Sequence, residues 1–409
     1  MKLLIACPAL PVPVDSGGAV RLFSLIRQLS RHAEVDLVGL DDGTTPAEAL
    51  ATLRPYCRRV EIIIPKRKAI LLQPFQVASK MLKGEPFVTK YCDGAEVRRS
   101  LRQVASRERY DIIQLEQTRM AGLATALSPE LGAKTVLSTY DVASDQYRRM
   151  FECERNLARK IKLLLTWLPM RKWEAARAAV FDKVLAVSER DRQLLRTRNS
   201  SLDVAVIPNG VDTAQCKPIP RGNRKENILI VGSLDYQPNR DAAIDFHRRV
   251  FPLVRNELPG CALTIVGRQP PPSIRALHRP PDVTLCANVP KIEPYHRDAL
   301  VSVAALRSGG GSRIKILESL AFGTPVVSTS IGCEGLDVRH GRDILVADEP
   351  AEFARHIVEL MRDPLRWQSL SASGRELVRT RYDWERIGER LRDTYESILC
   401  STRSRKESP

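Results

Sequence analysis

Long apolar segments are missing from this chain. No run of about 18 apolar residues occurs, so no membrane-spanning helix is expected. The stretch before Cys7 is too short for a secretory or lipoprotein leader, and Leu3-Leu4-Ile5-Ala6 reads instead as a first buried strand. Cysteine spacing of a metal or redox kind is also missing. The nine cysteines are scattered, with no CxxC pair and no His-rich cluster, which argues against zinc and for a reducing compartment. Aromatic residues make up only 5% of the chain and do not interleave with the basic ones as in a single-strand binder. Helix-turn-helix and zinc-finger spacings are absent, so no nucleic-acid partner is expected. The Walker spacing that ends in Gly-Lys-Ser/Thr does not occur either.

What the chain has is positive charge, +16 in all, and basic proteins seek phosphates or acidic glycans. The excess is uneven: residues 58–109 hold thirteen Lys/Arg against five Asp/Glu. Two stretches, 66–90 and 148–177, mix basic and apolar residues, the second containing Arg159-Lys160-Ile161-Lys162-Leu163-Leu164-Leu165-Thr166-Trp167-Leu168. Such segments can lie on an anionic membrane surface. They can equally pack the apolar face on their own sheet and leave the charge in solvent.

A length of 409 residues is too great for one core, so two domains are expected. Short apolar runs at 3–7, 35–40, 60–64, 112–115, 135–138, 183–187 and 204–207 read as strands, mostly separated by helical patterns. That alternation implies parallel βαβ units. Asn209-Gly210 is a strong turn signal, and residues 217–223 are rich in Pro, Gly and charge with no periodicity, as a linker would be. A second series follows: strands at 228–231, 262–266, 283–285, 326–329 and 344–346, a helix over 241–257, and closing helices at 351–361, 364–379 and 384–399. The expected fold is α/β, with two Rossmann-like doubly wound domains facing across a cleft. The expected boundaries are 1–212 for the first domain, 213–223 for the linker and 224–383 for the second domain, with a helix over 384–400 and a disordered tail over 401–409.

The most informative stretch is SGGGSRIKILESLAFGTPVVST, from Ser308 to Thr329. Gly309, Gly310 and Gly311, followed by Ser312, form a loop that feeds a helix carrying Ile314, Leu317 and Ala321 at helical spacing. Gly323 and Pro325 stop that helix, and Val326-Val327 opens a buried strand. A glycine loop at a helix N-terminus offers free N–H groups and a positive dipole end to an anion, and Arg313 and Lys315 add charge there. A phosphate or diphosphate is the natural guest. Glu318, one turn further, is placed to accept hydrogen bonds from a ribose or sugar diol. Gly17 and Gly18 repeat the pattern after the first strand, where an anion, an acceptor hydroxyl or simply a tight turn would fit.

These motifs, with Val187-Ser188-Glu189, Pro208-Asn209-Gly210-Val211-Asp212, Val231-Gly232-Ser233, Ile265-Val266-Gly267, Gly335-Leu336 and Gly341-Arg342-Asp343, recur in the order seen in one family. The chain resembles the GT-B glycosyltransferases, and within them the retaining enzymes of glycosyltransferase family 4. The resemblance spans both domains, although its specific motifs begin near Val187. It implies a nucleotide-sugar site in the second domain, most of the acceptor site in the first, and a final helix that crosses back to the first. It implies no metal and no cofactor. Glu318 matches the family's ribose-binding glutamate. The chain departs from the pattern in three places. Gly310 stands where the family has a carboxylate to the donor sugar. Ser233 and Asn239 stand near Gly232 where many members have an Arg and a Lys on the diphosphate, a loss that Arg313 and Lys315 would offset. Tyr140, beside Asp141, stands where a His is usual.

The expected activity is transfer of a sugar, with retention, from a nucleoside diphosphate sugar to a lipid-linked or polysaccharide acceptor. The expected location is the cytoplasm, at the inner membrane face. Tyr140 or Asp141 would orient the acceptor or, alternatively, cap the helix that follows; Glu116 is a similar, weaker candidate. Pro238-Asn239 together with the glycine loop resembles a subgroup associated with exopolysaccharide assembly and exosortase-linked gene sets. Two alternatives stand beside this reading: a nucleotide-sugar epimerase of the same fold, and a non-catalytic glycan- or partner-binding protein with a degenerate donor site.

Overall fold

The computed structural model describes residues 1–41, 45, 47–65, 80, 84–89, 92, 94–127, 131–154, 156–309 and 313–406. They divide into two compact units, one holding Met1–Pro208 and the chain from Ile387 onward, the other Asn209–Gly309 and Arg313–Arg386. Most of the basic stretch 66–90, and Gly310, Gly311 and Ser312, lie outside the described residues.

The first unit is built on seven parallel strands: β1 (Lys2–Cys7), β2 (Glu34–Leu40), β3 (Arg59–Ile63), β4 (Ile112–Glu116), β5 (Lys134–Ser138), β6 (Lys183–Ala186) and β7 (Val204–Val206). Their order across the sheet is β3-β2-β1-β4-β5-β6-β7. A parallel strand covered on both faces reads as an unbroken apolar run, and β1 (Lys-Leu-Leu-Ile-Ala-Cys) is buried from Leu3 to Cys7. The second unit repeats the plan with β8 (Lys225–Val231), β9 (Ala262–Gly267), β10 (Val283–Ala287), β11 (Ala299–Ala304), β12 (Val326–Ser328) and β13 (Leu345–Val346), ordered β10-β9-β8-β11-β12-β13. In each sheet the order reverses once, between β1 and β4 and between β8 and β11. Ligands of such sheets bind beyond the carboxyl ends of the strands at the reversal. The loops there carry Gly17 and Gly18 in one unit, and Gly232, Ser233 and Gly309 in the other.

Four elements differ from expectation, the first being β11 (Ala299–Ala304), which lies where no strand was expected. The helix expected over 241–257 starts earlier, at Gln237, and is broken into Gln237–Asp245, a π-turn at Phe246–Val250, and Phe251–Glu257. Pro252 has no N–H to donate to Arg248, so the ladder shifts register there. A 3₁₀ segment, Thr118–Ala126, follows β4 where no element was expected. The last helix runs from Trp384 to Lys406, so residues 401–406, expected as disordered tail, continue it.

Arg224, just before β8, ties the second unit together. Its guanidinium donates to the carbonyls of Ile219 (2.8 Å), His296 (2.7 Å), Ala299 (2.7 Å) and Phe322 (3.0 Å) and to the Thr324 hydroxyl (2.9 Å). It also lies 5.1 Å from the centre of the Trp367 ring. Burial lowers its pKa to about 10, so it stays charged at neutral pH. Replacing Arg224 with Met would leave these acceptors unpaired and destabilise this unit by about 3 kcal/mol, read as a lower urea midpoint. Arg224→Lys recovers less than half of the loss, because an ammonium cannot span five acceptors.

Candidate active site

In the second unit the site begins with a close approach. A Cβ on Gly232, at the end of β8, would sit 2.9 Å from the Lys315 Nζ and 3.0 Å from the Asn239 amide nitrogen. Only glycine lets those two side chains close over the strand end. Lys315 Nζ donates to Asn239 Oδ1 at 2.6 Å, and Asn239 Nδ2 donates to the Ser233 carbonyl at 2.8 Å. The loop after β11 meets the same place: Gly309 has φ +95°, and a Cβ there would lie 2.9 Å from both Pro238 Cγ and the Tyr236 hydroxyl. Gly232, Ser233, Asn239, Gly309 and Lys315 are thus brought together, beside a small cavity lined by Val231, Ala242, Val303, Ala304 and Leu306.

The charges here are poised. Burial, helped by the neighbouring Arg313 charge, lowers the Lys315 ammonium to about 7. Burial raises the Glu318 carboxyl to about 7, with Lys315 opposing the shift. Residues 315 and 318 share one face of the helix Ile314–Ala321. Glu318 is half-buried and, among the described residues, its carboxylate accepts no hydrogen bond. Arg313 takes another part: its guanidinium is buried and donates to the Ile331 carbonyl at 2.8 Å and, at 3.5 Å, to that of Gly309. It braces the loop, and its charge acts on Lys315 through space.

Arg268, which the sequence reading passed over, follows directly on β9. Its Nε donates to Ser233 Oγ at 3.3 Å, and its Nη2 lies 3.3 Å from Asp235. The rule that ligands gather at strand carboxyl ends, applied to the position after Ile265-Val266-Gly267, would have found it.

In the first unit Ser16 caps the helix Gly17–Leu29, accepting from the Ala19 N–H at 3.3 Å. A Cβ on Gly18 would lie 3.1 Å from Tyr140 Cε2, so the glycine turn rests on the tyrosine ring. Glu116, at the end of β4, is fully buried beside Tyr140 and Arg21. Arg21, another residue the sequence reading missed, donates to the carbonyls of Ile207 and Pro208, both at 2.9 Å. Gln114 donates to Glu116 Oε1 and accepts from Tyr395 of the last helix, leaving Glu116 Oε2 without a hydrogen bond. Burial raises the Glu116 carboxyl, with Arg21 opposing. Burial and the Glu116 charge hold the Tyr140 phenol well above its usual range, so it is a neutral donor.

Asp141 is pushed to about 7 by burial and by Glu174 and Asp191, with Arg119 opposing. Among the described residues it makes no hydrogen bond. It does not cap the following helix, Ala143–Cys153. Glu174, reaching from the helix Leu157–Ala178, accepts from the Ala143 N–H at 2.8 Å and the Ser144 N–H at 3.3 Å and pairs with Arg198 at 2.9 Å. One further feature had no sequence signal. Gln117, just past Glu116, has φ 66° and ψ 143°, a strained backbone for a residue other than glycine.

The comparisons with known proteins agree with this architecture. Residues 16–215 match the model of Glycosyltransferase Family 4, and residues 225–363 match that of Glycosyl transferases group 1. A protein from the cps region of Klebsiella pneumoniae is 22% identical over 403 residues, covering 94% of this chain and 97% of its own length. The GDP-mannose-dependent alpha-(1-6)-phosphatidylinositol monomannoside mannosyltransferase of Mycobacterium tuberculosis is 27% identical over 212 residues, covering 46% of this chain and 54% of its own. Among solved structures, sucrose-phosphate synthase from Thermosynechococcus elongatus superposes with a TM-score of 0.72 at 16% identity, over 98% of this chain and 100% of that one. Anabaena Alr3699/HepE, solved in complex with UDP and glucose, gives a TM-score of 0.69 at 16% identity, over 97% of this chain and 100% of its own. Sheet topology, strand-end loops and matches at both ends of the chain lead to one conclusion: this protein belongs to the group 1 glycosyltransferases of family 4, built on the two-domain GT-B fold, and its activity is sugar transfer.

Proposed function

We propose that the chain transfers a glycosyl group, with retention and without a metal, from a nucleoside diphosphate sugar to a lipid-linked or polysaccharide acceptor in cell-surface glycan synthesis. The observation that carries this reading is the Lys315 ammonium held against Gly232 by Asn239, with the unpartnered Glu318 carboxylate one turn on. A diphosphate would take charge from Lys315 and Arg268 and N–H groups from the strand-end loop, which neutralises the leaving group without a cation. Glu318 would accept from the ribose diol. Gly310, Gly311 and Ser312 remain donor candidates on sequence alone. Tyr140 and Asp141 would orient the acceptor hydroxyl, and Gly17 and Gly18 would admit it. In the reaction the bond from the anomeric carbon to the diphosphate oxygen breaks. The bond to the acceptor oxygen forms on the same face, and the departing oxygen takes the acceptor proton. Support for the donor class comes from HepE, solved with UDP-glucose, and for a lipid acceptor from the mycobacterial mannosyltransferase. The cps-region relative points to surface polysaccharide. We place the reaction in the cytoplasm. No observation favours the epimerase or the non-catalytic reading.

The test is a thermal-shift panel of nucleotide sugars with wild type, Lys315→Met and Glu318→Ala. One donor at hundredfold excess over its Kd should stabilise wild type by about 2.7 kcal/mol and leave both variants unshifted. Transfer with that donor should persist in EDTA. If no nucleotide sugar shifts wild type at millimolar concentration, the reading fails.

Proton linkage gives a second check. At pH 6 the free Glu318 is mostly protonated, and a diol favours its ionised form, so donor binding releases a proton. At pH 8 the free Lys315 is mostly neutral, and a diphosphate favours its charged form, so binding takes one up. Calorimetry in buffers of different ionisation enthalpy should show the sign reverse near pH 7. Glu318→Gln should abolish the release and Lys315→Met the uptake.

The same shift affects stability. A carboxyl whose pKa is raised by folding loses stability as pH rises from the ordinary carboxylate range through about 7. Glu318→Gln should therefore be about 1–2 kcal/mol more stable than wild type at pH 8 and no different at pH 4.

A further inference from the structure

The helix Leu157–Ala178 carries apolar side chains on two faces, and only one of them is covered. Met170, Trp173 and Ala178 are buried in the core of the first unit. Leu157, Ile161, Leu165 and Leu168 point away from it, with 72%, 50%, 42% and 50% of their surface exposed. Steps of four, four and three residues place them in one stripe about 16 Å long. Single exposed leucines are ordinary, but four of the ten large exposed apolar residues described lie in this one row.

The stripe has a rim of one sign. At 100° per residue, Lys160 and Arg171 fall on one flank, Lys162 falls on the other, and Lys172 continues the row. Arg159, Lys160, Lys162, Arg171 and Lys172 have no ion-pair partner among the described residues, in a chain where many arginines are paired. Lys160 lies 5.0 Å from the centre of the Phe151 ring, its stem along apolar surface. The helix contains one acidic residue, Glu174, and it faces inward as the cap of Ala143–Cys153. No acidic side chain of this helix therefore lies on its outer face.

Unpaired cations along both flanks of an exposed apolar row complement a surface that is apolar within and anionic above. We propose that this face docks on an anionic phospholipid bilayer, with Ile161, Leu165 and Leu168 entering the acyl boundary and the lysines and arginines meeting headgroup phosphates. No helix among the described residues is long and apolar enough to cross a membrane, so contact through this helix lies in the interfacial plane. The proposal rests on the lipid-linked acceptor reading for its purpose, while the docking face stands on its own geometry.

The test is co-sedimentation of the full chain with vesicles of phosphatidylcholine, with and without roughly 30% phosphatidylglycerol. Wild type and an Ile161→Asn/Leu165→Asn variant are compared; both positions are exposed, so folding is retained. Wild type should bind the anionic vesicles at least about tenfold more tightly than the neutral ones, less so as salt rises, and the variant should lose about tenfold or more. Trp167, stacked on Phe151 at 5.7 Å in the same segment, should be quenched by brominated lipid in wild type, and Trp167→Phe should lose that signal. Binding unchanged in the variant would place the membrane contact elsewhere and overturn the proposal. So would failure of wild type to bind anionic vesicles at low salt, or a wild-type dimer that the variant abolishes, which would make a second copy the occupant. The nucleotide-sugar thermal shift, measured in parallel, separates the two readings. A variant that keeps the shift and loses the vesicles supports docking, and a wild type that binds vesicles but no donor removes the transferase reading alone.

Discussion

Strands that all run one way cannot be joined by hairpins, so each pair needs a crossover over a face of the sheet. Both sheets here are wholly parallel, and strands such as β1, β4 and β11 are buried along almost their whole length. With the faces given over to apolar packing, polar and charged side chains with work to do are left the strand ends. Where the order reverses, between β1 and β4 and between β8 and β11, two neighbouring crossovers leave in opposite directions and open a crevice. The glycine turns, Glu116, Tyr140, Lys315 and Glu318 are all found at or beside such ends.

Within the second unit the chemistry is made by proximity. Even a half-buried ammonium is unfavourable, and Lys315 is tolerated because Asn239 accepts from it and because Gly232 leaves room for both. Its lowered pKa and the raised pKa of Glu318 are two results of one desolvation, and each group opposes the other's shift. A site in this state gains from a ligand that brings negative charge to one group and hydroxyl donors to the other. Arg313 makes the arrangement durable by bonding backbone carbonyls, a role its charge alone does not suggest.

The helix Leu157–Ala178 shows how one element serves two surroundings. Its inner face delivers Glu174 to the first turn of Ala143–Cys153, next to Asp141, and so frees Asp141 from capping. Its outer face carries leucines and an isoleucine in solvent, rimmed with cations. The acidic residue on the inside and the basic ones outside sort the helix electrostatically as well as by hydropathy.

Much of the framework was legible in the residues. Most strands of the two sheets lie close to an apolar run readable in the chain, because a strand buried on both faces has few polar positions to blur it. The helix-turn-strand unit Ile314–Ser328 was legible because Gly323, at φ +69°, ends the helix and Pro325 follows it at once. The broken helix at Pro252 and the 3₁₀ turn after β4 were not, since propensity fixes neither a register shift nor a strained residue such as Gln117. Nor were Arg268, Arg21 and Glu174, whose partners stand 35, 186 and 31 residues away and whose bonds exist only once the sheets form. Periodicity says that a helix has an apolar face; only the packing of its neighbours decides whether that face is covered. The sequence by itself therefore determined the elements, the glycine turns and the family. The tertiary structure alone decided which charges lie together, which carboxylates stay without a partner, and which leucines are left in water, because burial and proximity are properties of the fold rather than of any segment.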